Sequence, residues 1–519
     1  MSFNRRAFLK TSTAIAALAV AAPHLALAQA EPEQGGTLRV AVDQAISVIH
    51  PLLTRVNPEY LAGELLYSGL TRLGTTMEPE PDLATSWEAD DDLTVWTFVL
   101  REGLKFHDGS DCTSADVVAS FEAILNPELA SPASNNVGPI ETVEAIDTTT
   151  VKFTLSSPYA DFPAALAYNN ARVIPASVIS DDFGSLRSTA IGTGPFKLVS
   201  YEPDRLVVVE RNPDYYDPAR PYLDRVELHV FPDPGAQVSS LIAGDIDLVM
   251  TIGPNDFMRL EGQDGVDAQR VASGQFCNVN FGCDMAPFDD VRLRQALALT
   301  IDRQAMVDFM TEGFGTMGND TPLNEAYPFF QPVPQREKDI ERAKVLLAEA
   351  GYPDGFEAEL IASDRPAIRT QLAVALKEMA SEAGITINVT TMPHATYLDQ
   401  VWTKGAFYIG FYNMQPTPDG IFSLLFTSDA AWNETRWNNK EFDELIGKAR
   451  AVSAAEERTA LYTEAQALMN EEAPSIIPAF FDMLGAKRSW MQGYDIHPRG
   501  SVFRLDFAWL DGTAPTRQG

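Results

Sequence analysis

Residues 96–122 read WTFVLREGLKFHDGSDCTSADVVASFE, and this run holds a strand, a turn and a helix in quick succession. Leu93 to Leu100 is dense in β-formers, as in a half-buried strand. His107-Asp108-Gly109-Ser110 supplies turn chemistry. Thr113 stands where it can cap a helix, and Asp116 is favourable at that helix's positive end. Val117, Val118, Phe121, Ile124 and Leu125 then form an apolar stripe at helical spacing. The apolar residues of the run are expected in a core, so ligand contacts are not expected there.

Outward from this run the first part of the chain is rich in strands. Thr37–Val42 reads as a strand and Pro58 to Leu66 as a helix. Val151–Leu155, Phe196–Glu210 and Val226–Phe231 are strand-like, with Gly194-Pro195 and Pro203-Asp204 at turns. Gln237–Ala243 is a short helix ended by Gly244, and Asp247–Met250 follows as a strand. After about residue 265 the texture changes. Val291–Phe309 reads as one long helix. Glu337–Ala350 stops at Gly351, and Ala367–Ala383 stops at Gly384, which is good helix-ending chemistry. Ile385–Thr390 continues as a strand, so an α/β lobe with a largely parallel sheet is expected. Glu441–Asn470 supplies more helix. Ile476–Phe481 and Val502–Phe507 are strand-like again, so the tail is expected to rejoin the first lobe. Two strands, near 266–276 and 474–480, would then cross between lobes as a hinge.

With 519 residues, the chain is too long for one core. Its net charge of −33 argues against nucleic acid and anionic membrane surfaces as partners. The acids are dispersed, as a solvated surface requires. Asn4-Arg5-Arg6-Ala7-Phe8-Leu9-Lys10, the apolar run Thr11–Ala22 and Ala26-Leu27-Ala28 resemble a twin-arginine export signal with a cleavage site, although Asn4 stands where Ser or Thr is usual. No later segment has 18 uninterrupted apolar residues, so a soluble periplasmic protein is expected once residues 1–30 are removed. Cys277 and Cys283 lie in the extended run CNVNFGC, which would hold them about 20 Å apart, too far for a bridge. Cys112, Cys277 and Cys283 are expected as buried free thiols.

Catalytic motifs are missing. The chain has no His-Glu-x-x-His, Cys-x-x-Cys, Ser-x-x-Lys, Gly-x-Ser-x-Gly or phosphate loop ending in Gly-Lys. Residues 313–318, GFGTMG, match a dinucleotide fingerprint, but they follow a helix and lead into a loop, which is the wrong context. His50, His107, His229, His394 and His497 are not spaced as a metal pair. His394, in MPHATY, is the one that could reach a cleft. No catalytic residue, cofactor or metal is expected.

Several blocks resemble the family 5 extracellular solute-binding proteins of ABC importers, the peptide, opine and nickel group. They are LLYSGLTRL (65–73), PDLATSWE (81–88), the opening run, GTGPFKLVSYEPDRLVVVERNPDYYD (192–217), PFDDVRLRQALALTIDR (287–303) and ERAKVLLAEAGYPDG (341–355). The resemblance implies an α/β, two-lobed periplasmic-binding-protein type II fold with an extra subdomain in the first lobe. Lobe I would span 31–265, with the subdomain at about 51–174. Lobe II would span 266–475, and 476–519 would return to lobe I. It also implies a monomer that captures a solute between closing lobes and docks on a membrane permease.

The stretch FYNMQPTPDG (411–420) is the candidate cleft wall. In peptide-binding relatives an Asp here pairs with the ligand's ammonium group. That position falls near Met414, beside Asn413, and neither can replace a carboxylate. Asp419 is the candidate substitute, against its reading as a turn residue. Flat rings and amides nearby suit a sugar, or a conjugate whose carboxylate meets Arg436. The expected ligand-binding residues are Asp43, Gln44, Tyr412, Asn413, Met414, Gln415, Asp419, Trp432, Arg436 and Trp437, with Gln275 a weaker candidate. A peptide or opine-type solute is the first reading, and an oligosaccharide or other polar uncharged solute the second. A periplasmic hydrolase or chaperone on this scaffold, and a nickel or haem receptor, are remote ones.

Overall fold

The computed structural model describes residues 31–517. The export signal expected at 1–30 lies outside the described residues. The opening run forms the strand Val95–Leu100, whose residues alternate in burial, with Trp96, Phe98 and Leu100 inside. It sits in a four-stranded antiparallel sheet with Ala84–Ala89, Thr150–Leu155 and Ile140–Ala145. Phe98 meets Phe153 and Phe162 edge-on, with ring centroids 5.6 and 5.9 Å away. The helix Ser114–Leu125 packs Val117, Phe121 and Ile124 into the same core. Asp116 anchors it, accepting the Thr113 N–H at 2.8 Å and the Ala176 N–H at 2.9 Å. The carboxylate therefore ties the helix start to the chain's return from this sheet.

A second sheet of 12 strands runs through the whole molecule. Its first half holds Leu248–Val249, Thr37–Val42, Arg225–Val230, Leu206–Arg211 and Phe196–Glu202. Thr37–Val42 lies parallel to both of its neighbours. The second half holds Thr386–Met392, Glu357–Ser363 and Phe407–Tyr412. Between the halves lie two long antiparallel strands, Val266–Phe281 and Ala479–Arg488. Their pairing is broken by a bulge between Val271 and Gln275. Bulges bend a strand and add twist, so the crossing turns the two halves relative to each other.

The second half departs from two expectations. Its sheet is mixed: Glu357–Ser363 and Thr386–Met392 are parallel, joined by the helix Ile368–Ser381, but Val266–Phe281 pairs antiparallel with Phe407–Tyr412. The single helix expected over Val291–Phe309 is two, Val291–Ala298 and Arg303–Thr311. Asp302 accounts for the break, because its side chain accepts the Ala305 N–H at 3.0 Å and starts a new helix. The tail also differs: Val502–Phe507 is a loop with a 3-10 turn at Leu505–Phe507, not a strand. Its backbone N–H at Phe503 bonds to Glu64 instead of a sheet neighbour.

The halves also touch away from the crossing. Arg458 pairs with Asp161 at 2.6 Å, both side chains buried. The Ala160 N–H donates to the Arg450 carbonyl at 2.8 Å. Leu73, Met77, Ala164 and Ala167 join Phe276, Tyr327 and Met414 in one apolar cluster. Gly274 in the bulge permits this packing, because a Cβ there would lie 2.4 Å from the Tyr327 ring and 3.0 Å from Met414 Cγ. Gly274→Ala is expected to destabilise by about 1–3 kcal/mol in urea unfolding. Gly447→Ala, in the helix Lys440–Arg450 where a Cβ meets nothing, is expected to stabilise by up to about 1 kcal/mol. Equal effects at the two glycines would contradict the packing account.

Candidate functional site

A cleft of about 680 Å³ opens where strands of both halves end above the crossing pair. Asp43 and Gln44 follow Thr37–Val42, and Thr251 to Gly253 follow Leu248–Val249. Asn413, Met414 and Gln415 follow Phe407–Tyr412. Gln275 comes from the bulged strand and Met483 from its partner. Carboxyl ends of strands are a usual place for a ligand in an open α/β sheet. Gln275 Nε2 donates to Asn413 Oδ1 at 2.6 Å, and the Gln415 N–H donates to Tyr327 Oη at 3.0 Å. The wall is thereby fixed before any solute enters. Met414 is packed at 1% exposure, whereas Asp43 and Asn413 are exposed.

Five expected residues lie elsewhere. Asp419 sits in the first turn of Pro418–Leu425, where Arg450 Nε reaches Oδ1 at 2.6 Å and Ser423 Oγ at 2.9 Å. It borders a separate cavity of about 260 Å³ with Tyr159 and Arg450. A carboxylate already paired in this way is not available for an ammonium ligand in the cleft. Tyr412 is buried, its hydroxyl 3.3 Å from Trp402 Nε1. Trp437 packs on Phe442 in the core, with centroids 4.9 Å apart. Trp432 rests edge-on against Trp402 at 5.4 Å. Arg436 is pinned by Asp284 at 2.6 Å and by the carbonyls of Thr403 and Gly405. His394 is hydrogen-bonded to Ser363 at 2.9 Å and does not line the cleft.

Other lining residues were not singled out by sequence: Arg55, Asn57 and Tyr60 from the start of the helix Asn57–Leu66, Tyr168 and Asn169, and Arg499 to Ser501. Arg499 is 8% exposed. One signal for it was present in the sequence: a cation between Pro498 and Gly500, in a tail expected to rejoin the first lobe. Another polar cavity, near Arg72, holds only about 30 Å³, and Arg72 and Asp506 in its wall pair with each other at 3.0 Å.

Beneath the wall lies a buried carboxylate, Glu434. Oε2 accepts from Asn280 Nδ2 at 2.7 Å, and Oε1 has no hydrogen-bond partner. Burial raises its pKa to about 7, against the pull of the Asn278, Asn280 and Tyr412 hydrogen bonds. Tyr412 is buried and is not among the residues that line the cleft. Cys112, Cys277 and Cys283 are free, the first two buried. The 313–318 run contains the short strand Gly315–Met317 and is followed by a loop, not by a helix. Among the described residues no group of His, Cys, Asp and Glu is arranged to hold a metal ion.

Residues 78–433 match the model of the bacterial extracellular solute-binding proteins, family 5. The chain belongs to this family. It is 30% identical to heme-binding protein A of Haemophilus influenzae, over 76% of this chain and 78% of that one. It is 27% identical to the glutathione-binding protein GsiB of Escherichia coli, over 88% of this chain and 92% of that one. Among solved structures it superposes on the binding protein AgaA of A. tumefacien R10, in complex with agropinic acid, with a TM-score of 0.77, 25% identity and coverage of 92% and 99%. These relatives are two-lobed receptors. In this family 5 protein the cleft lies between the two halves of the long sheet, and among the described residues no helix is long and apolar enough to cross a membrane.

The Glu434 site makes a pH prediction. Its folded pKa of about 7 lies above the ordinary 4.5, so folding takes up a proton between these values. The cost of ionising it in place is absent below the unfolded value and complete above the folded one. Glu434→Gln is therefore expected to gain on wild type as pH rises from 4.5 to 8, by roughly 3 kcal/mol in urea unfolding. A difference between the two proteins that does not change with pH would contradict a protonated Glu434.

Proposed function

We propose that this family 5 protein is the periplasmic receptor of an ABC importer for a peptide-like, carboxylate-bearing solute, of which opines are one type. The observation that carries this reading is the placement of the cleft. Asp43, Thr251 and Arg499 approach it from one side, Asn413 and Gln415 from the other, and the bulged crossing strand forms its floor. A solute bound there contacts both halves, so it stabilises the closed form in proportion to the contacts that closure adds. The lobes are assigned to 31–265 with 476–519, and to 266–475, with an inserted subdomain at about 51–174. The four-stranded sheet at Ala84–Leu155 supports the last assignment.

Heme, glutathione and agropinic acid, the compounds named for the relatives, all carry carboxylates. The cleft offers Arg55 and Arg499 to such groups, and Asp43 to an ammonium group. Asn413 and Met414 supply no acid, and Asp419 is engaged elsewhere. An oligosaccharide is the weaker reading, because Tyr412, Trp432 and Trp437 do not line the cleft. Export through the twin-arginine leader, a monomeric state, delivery to a permease and the lack of catalysis complete the proposal.

Thermal-shift measurements on residues 31–519 test it with di- and tripeptides, glutathione, agropinic acid and neutral oligosaccharides. A peptide-like solute at 100 times its Kd is expected to stabilise by about 2.7 kcal/mol and to be recovered chemically unchanged. A response to oligosaccharides alone, or conversion of the added compound, would contradict the proposal.

A further inference from the structure

Arg499 is a cation whose bonding the chain leaves incomplete. Its side chain lines the cleft at 8% exposure. Nη1 donates to Asn169 Oδ1 at 2.9 Å, while the buried Nε has no hydrogen-bond partner. The guanidinium carbon lies 5.3 Å from the centre of the Tyr168 ring. Among the described residues no carboxylate forms an ion pair with it, nor with buried Arg172 and Arg369, whereas buried Arg294 is paired with Glu472 at 3.7 Å, Arg303 with Asp320 at 2.6 Å and Arg458 with Asp161 at 2.6 Å. The groups around it are the phenols of Tyr60, Tyr168 and Tyr327 and a second cation, Arg172. Burial accordingly disfavours its charged form.

The position of the guanidinium is also fixed in advance. Asn169 Nδ2 donates to the Ser501 carbonyl at 2.7 Å, so the amide that holds Nη1 is itself held. The Arg499 N–H donates to His497 Nδ1 at 3.1 Å, and His497 Nε2 bonds to the Gly74 carbonyl at 2.9 Å. A buried unpaired charge is costly, and a planar fork of N–H donors matches a carboxylate in two-point contact. The cleft is the open side from which such a group can come. Arg55, exposed in the same cleft, adds a second positive charge near Tyr168.

We infer that Arg499 is the specificity-determining residue of the cleft and that it binds a carboxylate of the solute. Asn169 positions it, and Tyr60 and Tyr168 bound the group next to the carboxylate. The inference rests on the reading of the cleft as the solute site and adds the chemical group that this site selects.

Calorimetric titration tests it with glutathione, dipeptides, the same dipeptides as C-terminal amides, and neutral oligosaccharides. Wild type, Arg499→Lys and Arg499→Gln are compared. On wild type, the acids that bind are expected to lose at least tenfold in affinity when amidated. Arg499→Lys, which keeps the charge and loses the fork, is expected to weaken the acids about tenfold or more. Arg499→Gln is expected to raise the Tm of the unliganded protein, because it removes an uncompensated cation; a purely structural arginine would lower it. If a variant does not fold, the acid–amide comparison on wild type decides. Amides that bind as tightly as acids overturn the inference. Neutral oligosaccharides that bind irrespective of Arg499 overturn it while leaving a receptor in place. Failure of every probe to bind overturns both the inference and the reading beneath it.

Discussion

The antiparallel ladder between Val266–Phe281 and Ala479–Arg488 is the constraint on which the rest of the molecule depends. These strands join the two halves of the long sheet, and their bulge sits at the join. The ladder is stiff where it is regular and bent where it is not. Phe276 is buried just beyond the bulge, edge-on to Phe480 with centroids 5.9 Å apart, so the bend is packed. The same irregularity puts Gln275 in the cleft floor and brings the Ser273 carbonyl to Asn324 Nδ2 at 2.8 Å. The crossing between the halves and the cleft floor are thus one structural feature.

The regular elements could be read from the sequence because their signals are local. Thr37–Val42 has the bounds expected, and the hairpin over Phe196–Arg211 turns at Pro203-Asp204 as expected. Gly244 and Gly384 take positive φ where helices end. The failures share a cause. Asp302 caps a new helix inside a continuous apolar pattern, and periodicity alone does not reveal that break. Val502–Phe507 has strand composition, yet Glu64 supplies a partner that no sheet edge offers. Both outcomes are set by side-chain hydrogen bonds, in the second case from residues far apart in sequence.

The candidate site could be read only in part, for a related reason. Asp43, Gln44, Asn413, Met414 and Gln415 line the cleft because they follow strands whose ends reach it. The aromatic and charged residues around them were not so constrained. Tyr412 is drawn inward by Glu434, Trp437 by Phe442, and Asp419 by Arg450. Composition near a cleft wall identifies a neighbourhood, and the partners already present decide which side chains remain free. Arg499 is the reverse case: its local sequence looks like a turn, and its meaning comes from the partner it lacks.

The central claim is that one solute is held by both halves of the sheet at the crossing. Amide hydrogen exchange with and without a bound solute tests it most directly. The account predicts simultaneous protection of 251–253, 413–415 and 499–503, together with the bulge at 272–275. Protection confined to one half, or centred on the cavity beside Asp419 and Arg450, would contradict it.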